Sequence, residues 1–143
     1  AAVADFQVTL ATGTQTGGSV IRPAAFCGVF GYKPTYNHFP PAGMKANTEW
    51  LDTIGAYARS VEDVALFRAA LMSIPFTPLA KLAKPPRVAV CFTPHKDELQ
   101  PEAVTAIRNA ADAFAKAGAQ VRDMEMPSPI EKMREVTRID SQP

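Results

Sequence analysis

The residues best suited to chemistry lie in one short run, in which Gly13, Thr14, Gln15, Thr16, Gly17 and Gly18 lead into Ser19. Glycine lets the backbone bend tightly and turn successive N–H groups inward, forming a concave cradle for negative charge. A serine at the lip of such a cradle can attack a carbonyl carbon while the N–H groups hold the oxygen that becomes negative. Blander readings compete, because turns of this kind also simply reverse the chain or hold phosphate. The phosphate reading asks for a Lys and then a Ser or Thr after the glycines, whereas Val20 and Ile21 follow Ser19 here.

Elements able to position this turn flank it on both sides. Residues 1–7 read as the tail of a helix, and the apolar run from Val8 to Ala11 predicts a buried strand over 8–12. Pro23 suits a first helical position, so a short helix is expected from there through Gly28. Its opening N–H groups would point back at the turn and add positive potential where an oxyanion forms. The small residues of the turn leave room for a ligand.

Over residues 13–35, GTQTGGSVIRPAAFCGVFGYKPT, the chain resembles the amidase signature family, serine hydrolases of C–N bonds with a GGS turn, a PAAFCG helix and a GxKPT exit. The resemblance implies that Ser19 is the acyl-forming nucleophile. It places the oxyanion hole on the backbone N–H groups of Thr16, Gly17, Gly18 and Ser19, which leaves the turn's side chains a minor part. It further implies a second serine, held by a cis peptide, and a lysine base, both earlier in chain order than the nucleophile. The opening Ala1, Ala2, Val3 and Ala4 is similar to the helix that follows that segment, so neither partner is expected here. By the same resemblance residues 1–143 are a partial amidase domain, without catalysis as an isolated piece.

The turn departs from the family's commoner form. Gln15 stands where an Asp is usual, Ile21 where an Arg is usual, and Arg22 follows one place later. Losing only one member of a buried ion pair strands a charge, at a cost of roughly 3 to 5 kcal/mol, so the two changes belong together. The role of Arg22 stays open at this level.

Composition narrows the classes. The chain has 143 residues, 47% hydrophobic and 20% charged, with a formal net charge of +1, which suits one soluble domain with a core. Near-neutral charge without a run of Lys or Arg argues against nucleic acid or an anionic membrane as the main partner. No apolar stretch reaches the roughly 20 residues of a membrane span, and no leader opens the chain, so a cytoplasmic protein is expected. The chain opens without Met, which with the resemblance suggests a trimmed or truncated chain. Cys27 and Cys91 lie in apolar segments without metal-type spacing and are expected reduced and buried; Cys27 has no adjacent base to make it a nucleophile.

Beyond the turn, the 13 prolines fit many fixed bends. Residues 31–52 are loop-rich, and their aromatics Tyr32, Tyr36, Phe39 and Trp50 either line a substrate pocket or, as we prefer, pack as ordinary loop. The segment DTIGAYAR, 52–59, is a second point of resemblance. A helix is expected over 60–73, with Ser60 as N-cap, Asp63 three residues on and Glu62 in the first turn. Apolar on more than one face, it should be buried on most sides. A proline-rich linker through Pro75, Pro78, Pro85 and Pro86 precedes a strand–helix–strand unit over 87–124: a strand from Arg87 to Phe92, a helix from Pro101 to Ala117 closed by Gly118, and a return strand from Ala119 to Met124, the strands pairing in parallel. A last helix is expected from Pro129 to Thr137. The fold class is α/β, and the resemblance implies a mixed β-sheet flanked by helices.

Other residues could be invoked for chemistry. His38 and His95 are potential bases for Ser19, though a lone loop histidine is more often solvated or packed. Lys33 could serve if burial lowered its pKa, but the matching lysine of the family is not the base. Asp97, Glu98 and Glu102 gather at a helix start, which capping explains without a metal. The function expected is an amidase that hydrolyses a carboxamide through an acyl-serine intermediate, with no cofactor and no metal. Its partners would be a small-molecule amide and the remainder of the amidase domain, with a homo-oligomer left open. The alternatives are an A-type component of an amidotransferase that works on charged tRNA, and a non-catalytic remnant or interaction domain.

Overall fold

Strand β1 begins at Ala11 and runs to Gln15, later than the 8–12 expected from hydropathy. Its ladder partner decides this: β3, Thr53–Ala58, pairs antiparallel with it from Ala11↔Tyr57 through Gly13↔Gly55 to Gln15↔Thr53, carrying the strand into the glycine run. Upstream, the Val8 carbonyl accepts from Arg59 Nη1 at 3.0 Å, and so does the Val3 carbonyl at 2.8 Å. A side chain thus satisfies the segment that the sequence suggested as strand.

The computed structural model describes residues 1–92 and 96–126. The chain divides into a unit of Ala1–Ala80 and a unit from Lys81 onward. Helix α1, Ile21–Cys27, follows the turn, and β2, Phe30–Tyr32, returns antiparallel to the other side of β3, giving the order β1-β3-β2. Pro23 therefore sits in the first helical turn, not at its first residue. Proline is harmless there because the opening N–H groups of a helix have no intrahelical partner.

In antiparallel pairs, directly opposite residues share a face, as do alternate residues of one strand. Gly13, Gly55, Tyr57 and Gly31 consequently lie on one face of the sheet, and α1 seats there. Val20, 0% exposed, occupies the space above Gly55, where an added Cβ would come within 2.8 Å of both its methyl groups. A Cβ on Gly31 would meet the Ala24 methyl at 2.5 Å. Strand glycines of this kind mark close approach of another backbone.

Helix α2, Val61–Met72, packs on β3. Ser60 has extended backbone and its Oγ accepts from the Asp63 N–H at 3.0 Å, as the sequence suggests. Burial is narrower than expected: Val64 and Ala69 are buried, whereas Val61 and Leu66 are about half exposed.

In the second unit β4, Arg87–Val90, pairs in parallel with β5, Gln120–Asp123, from Arg87↔Gln120 to Val90↔Asp123. Helix α3, Pro101–Lys116, makes the crossover, preceded by a single 3-10 turn at Lys96–Glu98. Of its apolar stripe Ala111 is buried, and Ile107 and Phe114 are exposed. Gly118 supplies the positive φ of 94° that ends it. No described helix is long and apolar enough to cross a membrane. His95 and the helix expected from Pro129 to Thr137 lie outside the described residues.

Candidate active site

Ser19 stands exposed between β1 and α1, and its hydroxyl makes no hydrogen bond among the described residues. The backbone around it is fixed carbonyl by carbonyl. The Gly17 carbonyl accepts from Gln15 Nε2 at 3.1 Å, the Gly18 carbonyl from the Arg22 N–H at 2.9 Å, and the Ser19 carbonyl from the Tyr57 hydroxyl at 3.1 Å. A trans peptide sends its N–H opposite to the preceding C=O. Holding those carbonyls therefore aims the N–H groups of Gly18 and Ser19 away from Gln15 and from α1. Among the described residues, no hydrogen bond is donated by the N–H groups of Gly17, Gly18 or Ser19.

The next N–H groups behave differently. Those of Val20 and Ile21 both donate to Gln15 Oε1, at 2.9 and 3.1 Å. The expectation that the helix start would lend its N–H groups to the open side of the turn is corrected here, since a side chain from the end of β1 consumes them. This borrowed cap also lets α1 begin at Ile21, ahead of Pro23.

Thr16 is tied down from another direction. Its Oγ1 donates to Asp52 Oδ1 at 2.5 Å, while Asp52 Oδ2 accepts from the N–H groups of Asn47 and Thr48, at 2.5 and 2.9 Å. Asp52 is 7% exposed, yet these donors outweigh burial and hold its carboxyl below the ordinary 3.8, the Thr16 hydroxyl first, then the Thr48 and Asn47 amides. A folded pKa below the unfolded one contributes stability that is full above the unfolded pKa and lost as pH falls through the folded one. In Asp52→Asn one of the two acceptor oxygens becomes an NH2, which either loses the Asn47 and Thr48 N–H groups or obliges the Thr16 hydroxyl to turn from donor to acceptor. The stability gap between wild type and Asp52→Asn, from urea melts, should therefore be widest above about pH 4 and close in more acid solution. A gap unchanged between pH 7 and pH 2.5 would rule this out.

Tyr57 is the residue that sequence reasoning misses most completely. Its ring covers Gly13, where a Cβ would lie 2.8 Å from Cε2, and its hydroxyl reaches the Ser19 carbonyl. Burial, then the charge of Cys27, pushes the phenol upward, which keeps it a donor. The glycine two residues before it, Gly55, and the neighbouring Gly13 are the available signal. Side chains therefore hold the turn, contrary to the minor part given them from resemblance.

The remaining candidates disperse. Arg22 is exposed, with Nε 2.7 Å from where a Gly18 Cβ would stand, so its guanidinium lies along the turn. Lys33 is exposed and donates to the Pro34 carbonyl at 2.5 Å. His38 Nε2 accepts from Arg68 Nε at 3.1 Å, which occupies the lone pair a base would use. Cys27 and Cys91 are free but half-buried, not buried as expected. Phe39 is buried edge-on to Tyr32, with ring centres 6.1 Å apart, whereas Trp50 is exposed. Phe39 also borders a cavity of about 570 Å3 with Thr12, Thr14, Met44, Lys45 and Leu71; Ser19 is not among its lining residues. Among the described residues no group of three or more His, Cys, Asp or Glu could hold a metal ion.

A glycine-seated Gly-Gly-Ser turn on an α/β scaffold defines a class that comparison makes specific. The amidase family's sequence profile matches residues 1–140, and the chain belongs to that family. The A-type component of glutamyl-tRNA(Gln) amidotransferase from Clostridium botulinum is 36% identical over 141 residues, covering 89% of this chain and 29% of that protein. Its counterpart from Thermus thermophilus is 36% identical over 140 residues, covering 90% and 30%. Among solved structures, 6-aminohexanoate cyclic dimer hydrolase superposes with a TM-score of 0.73 at 31% identity, over 86% of this chain and 29% of that one. A peptide amidase with a bound competitive inhibitor gives 0.71 at 28% identity, over 90% and 30%. The chain thus spans under a third of the length of these relatives.

Proposed function

We propose that this chain is the nucleophile-bearing part of an amide hydrolase acting through an acyl-serine. Ser19 Oγ attacks the carboxamide carbon, and the N–H groups of Thr16, Gly17, Gly18 and Ser19 stabilise the tetrahedral oxyanion. Collapse breaks the C–N bond, the amine leaves with the proton, and water then cleaves the ester to the acid. A lysine and a second serine, upstream in the family's chain order, activate the hydroxyl; the 143 residues alone are inactive. Arg22, lying along Gly18, adds positive potential beside the developing charge. One observation carries the reading: Ser19 is exposed beside N–H groups left unpartnered among the described residues, while the neighbouring N–H groups are consumed by Gln15.

Acid quenching of the full protein during turnover of a carboxamide should leave the acyl group on the peptide that contains Ser19, seen by mass spectrometry. An acyl group on any other residue, or none under burst conditions, sinks the proposal. A second reading is favoured by the relatives' names: an A-type component of an amidotransferase acting on charged tRNA. Co-purification of a second protein component or of tRNA with the full protein would select it.

A further inference from the structure

We propose that Gln15 is a positioning residue for the reaction at Ser19, aiming the Gly18 N–H at the oxyanion by holding the Gly17 carbonyl. The proposal rests on the reading of Ser19 as nucleophile. Gln15 ends β1, where pairing with Thr53 fixes its backbone, and its side chain belongs to a residue only 7% exposed. Its carboxamide spans both limbs of the turn. Oε1 accepts from the Val20 and Ile21 N–H groups, behind Ser19, and Nε2 donates to the Gly17 carbonyl, ahead of it.

The partners dictate the chemistry of this side chain. Two N–H donors on one side require an acceptor, and a carbonyl on the other requires a donor, so only a carboxamide in this orientation satisfies both. A carboxylate would serve the Val20 and Ile21 N–H groups equally well, but would set a lone pair against the Gly17 oxygen. That mismatch explains why a neutral residue sits here once position 21 is Ile and offers no cation. The planar Gly17–Gly18 peptide converts the hold on one oxygen into the direction of the next N–H. Gln15 touches no substrate; it acts through that peptide.

The substitution Gln15→Glu separates the two ends, because it keeps the acceptor for α1 and removes the donor to Gly17. The probe is an alkyl fluorophosphonate, which joins Ser19 Oγ to phosphorus as the P–F bond breaks, fluoride leaving and the hydroxyl proton passing to the base. Its phosphoryl oxygen needs the same N–H donors as an amide oxyanion. In the full protein, Gln15→Glu should lower the maximal phosphonylation rate at Ser19 by about 10²-fold, the effect of losing one oxyanion donor. The concentration giving half-maximal rate should shift less than about twofold; the melting temperature should fall as well, because the carboxylate is buried without a cation and faces the Gly17 oxygen, so the rate is read on the folded protein. Gln15→Met, with neither donor nor acceptor, should show at least the same rate loss together with a lower melting temperature.

Phosphonylation of either variant at the wild-type rate overturns the proposal. A loss expressed only in the half-maximal concentration does so too. If neither variant folds, Gln15 is structural and the proposal also fails. A wild-type protein that takes no adduct at Ser19 removes the nucleophile reading itself, and this inference with it; an adduct present in wild type and undiminished in the variants removes only the role of Gln15.

Discussion

Ser19→Ala in the full protein is expected to lower kcat for amide hydrolysis by on the order of 10⁴- to 10⁶-fold, the scale found when a serine nucleophile is deleted. What remains should be the modest acceleration that oriented N–H donors give to attack by water. The same substitution should leave folding alone. Ser19 is exposed and its hydroxyl has no hydrogen-bond partner among the described residues, so removing one oxygen there should change stability by no more than about 0.5 kcal/mol. A large loss of rate with an unchanged melting curve is a combination that a structural serine cannot give. Rates within tenfold of wild type would mean that the hydroxyl is not the attacking group, whatever the family.

The contrast between Ser19 and its surroundings also shows what can be read from the chain alone. Local chemistry is legible: Ser60 caps α2 through Asp63 and Gly118 closes α3, because each depends on residues close in sequence. The parallel pairing of β4 with β5 spans a longer stretch and is legible because a single crossover helix dictates it. Long-range pairing without such a connection is not legible. The start of β1 depends on Thr53–Ala58, and the hold on Thr16 depends on Asp52, 36 residues away. Hydropathy favours Val8 over Gly13 as strand, since it weighs side chains and cannot see a ladder partner. Resemblance has its own blind spot. It assigns the turn's work to backbone N–H groups, and so marks Gln15 only as a departure and passes over Asp52 and Tyr57, although these three side chains hold the turn.

Small residues around the turn suggest, in the sequence, room for a ligand. In the structure Gly13, Gly31 and Gly55 make room for the turn's own supports, and this gives the second large expected effect. Adding a methyl group at Gly55 sets a carbon 2.8 Å from the Tyr32 carbonyl oxygen and 2.8 Å from both methyl groups of Val20. Neither neighbour can swing aside, because one is strand backbone and the other is 0% exposed. Overpacking of this sort costs about 1 to 3 kcal/mol, and more where backbone is in the way; a smaller unfolded-state gain of about 0.4 to 1 kcal/mol on replacing glycine runs against it. Gly55→Ala is therefore expected to destabilise the protein by about 1 to 2 kcal/mol net in urea melts. Gly17→Ala, with no atom within 4 Å of the added carbon, should not. Whatever relaxation relieves Gly55→Ala must lift Val20, which adjoins Ser19 and donates to Gln15, so activity should fall further than the population of folded protein explains. If Gly55→Ala melts with wild type and keeps its rate, then α1 is not seated on this glycine face, and the aim of the Ser19 turn must be set by something other than the sheet beneath it.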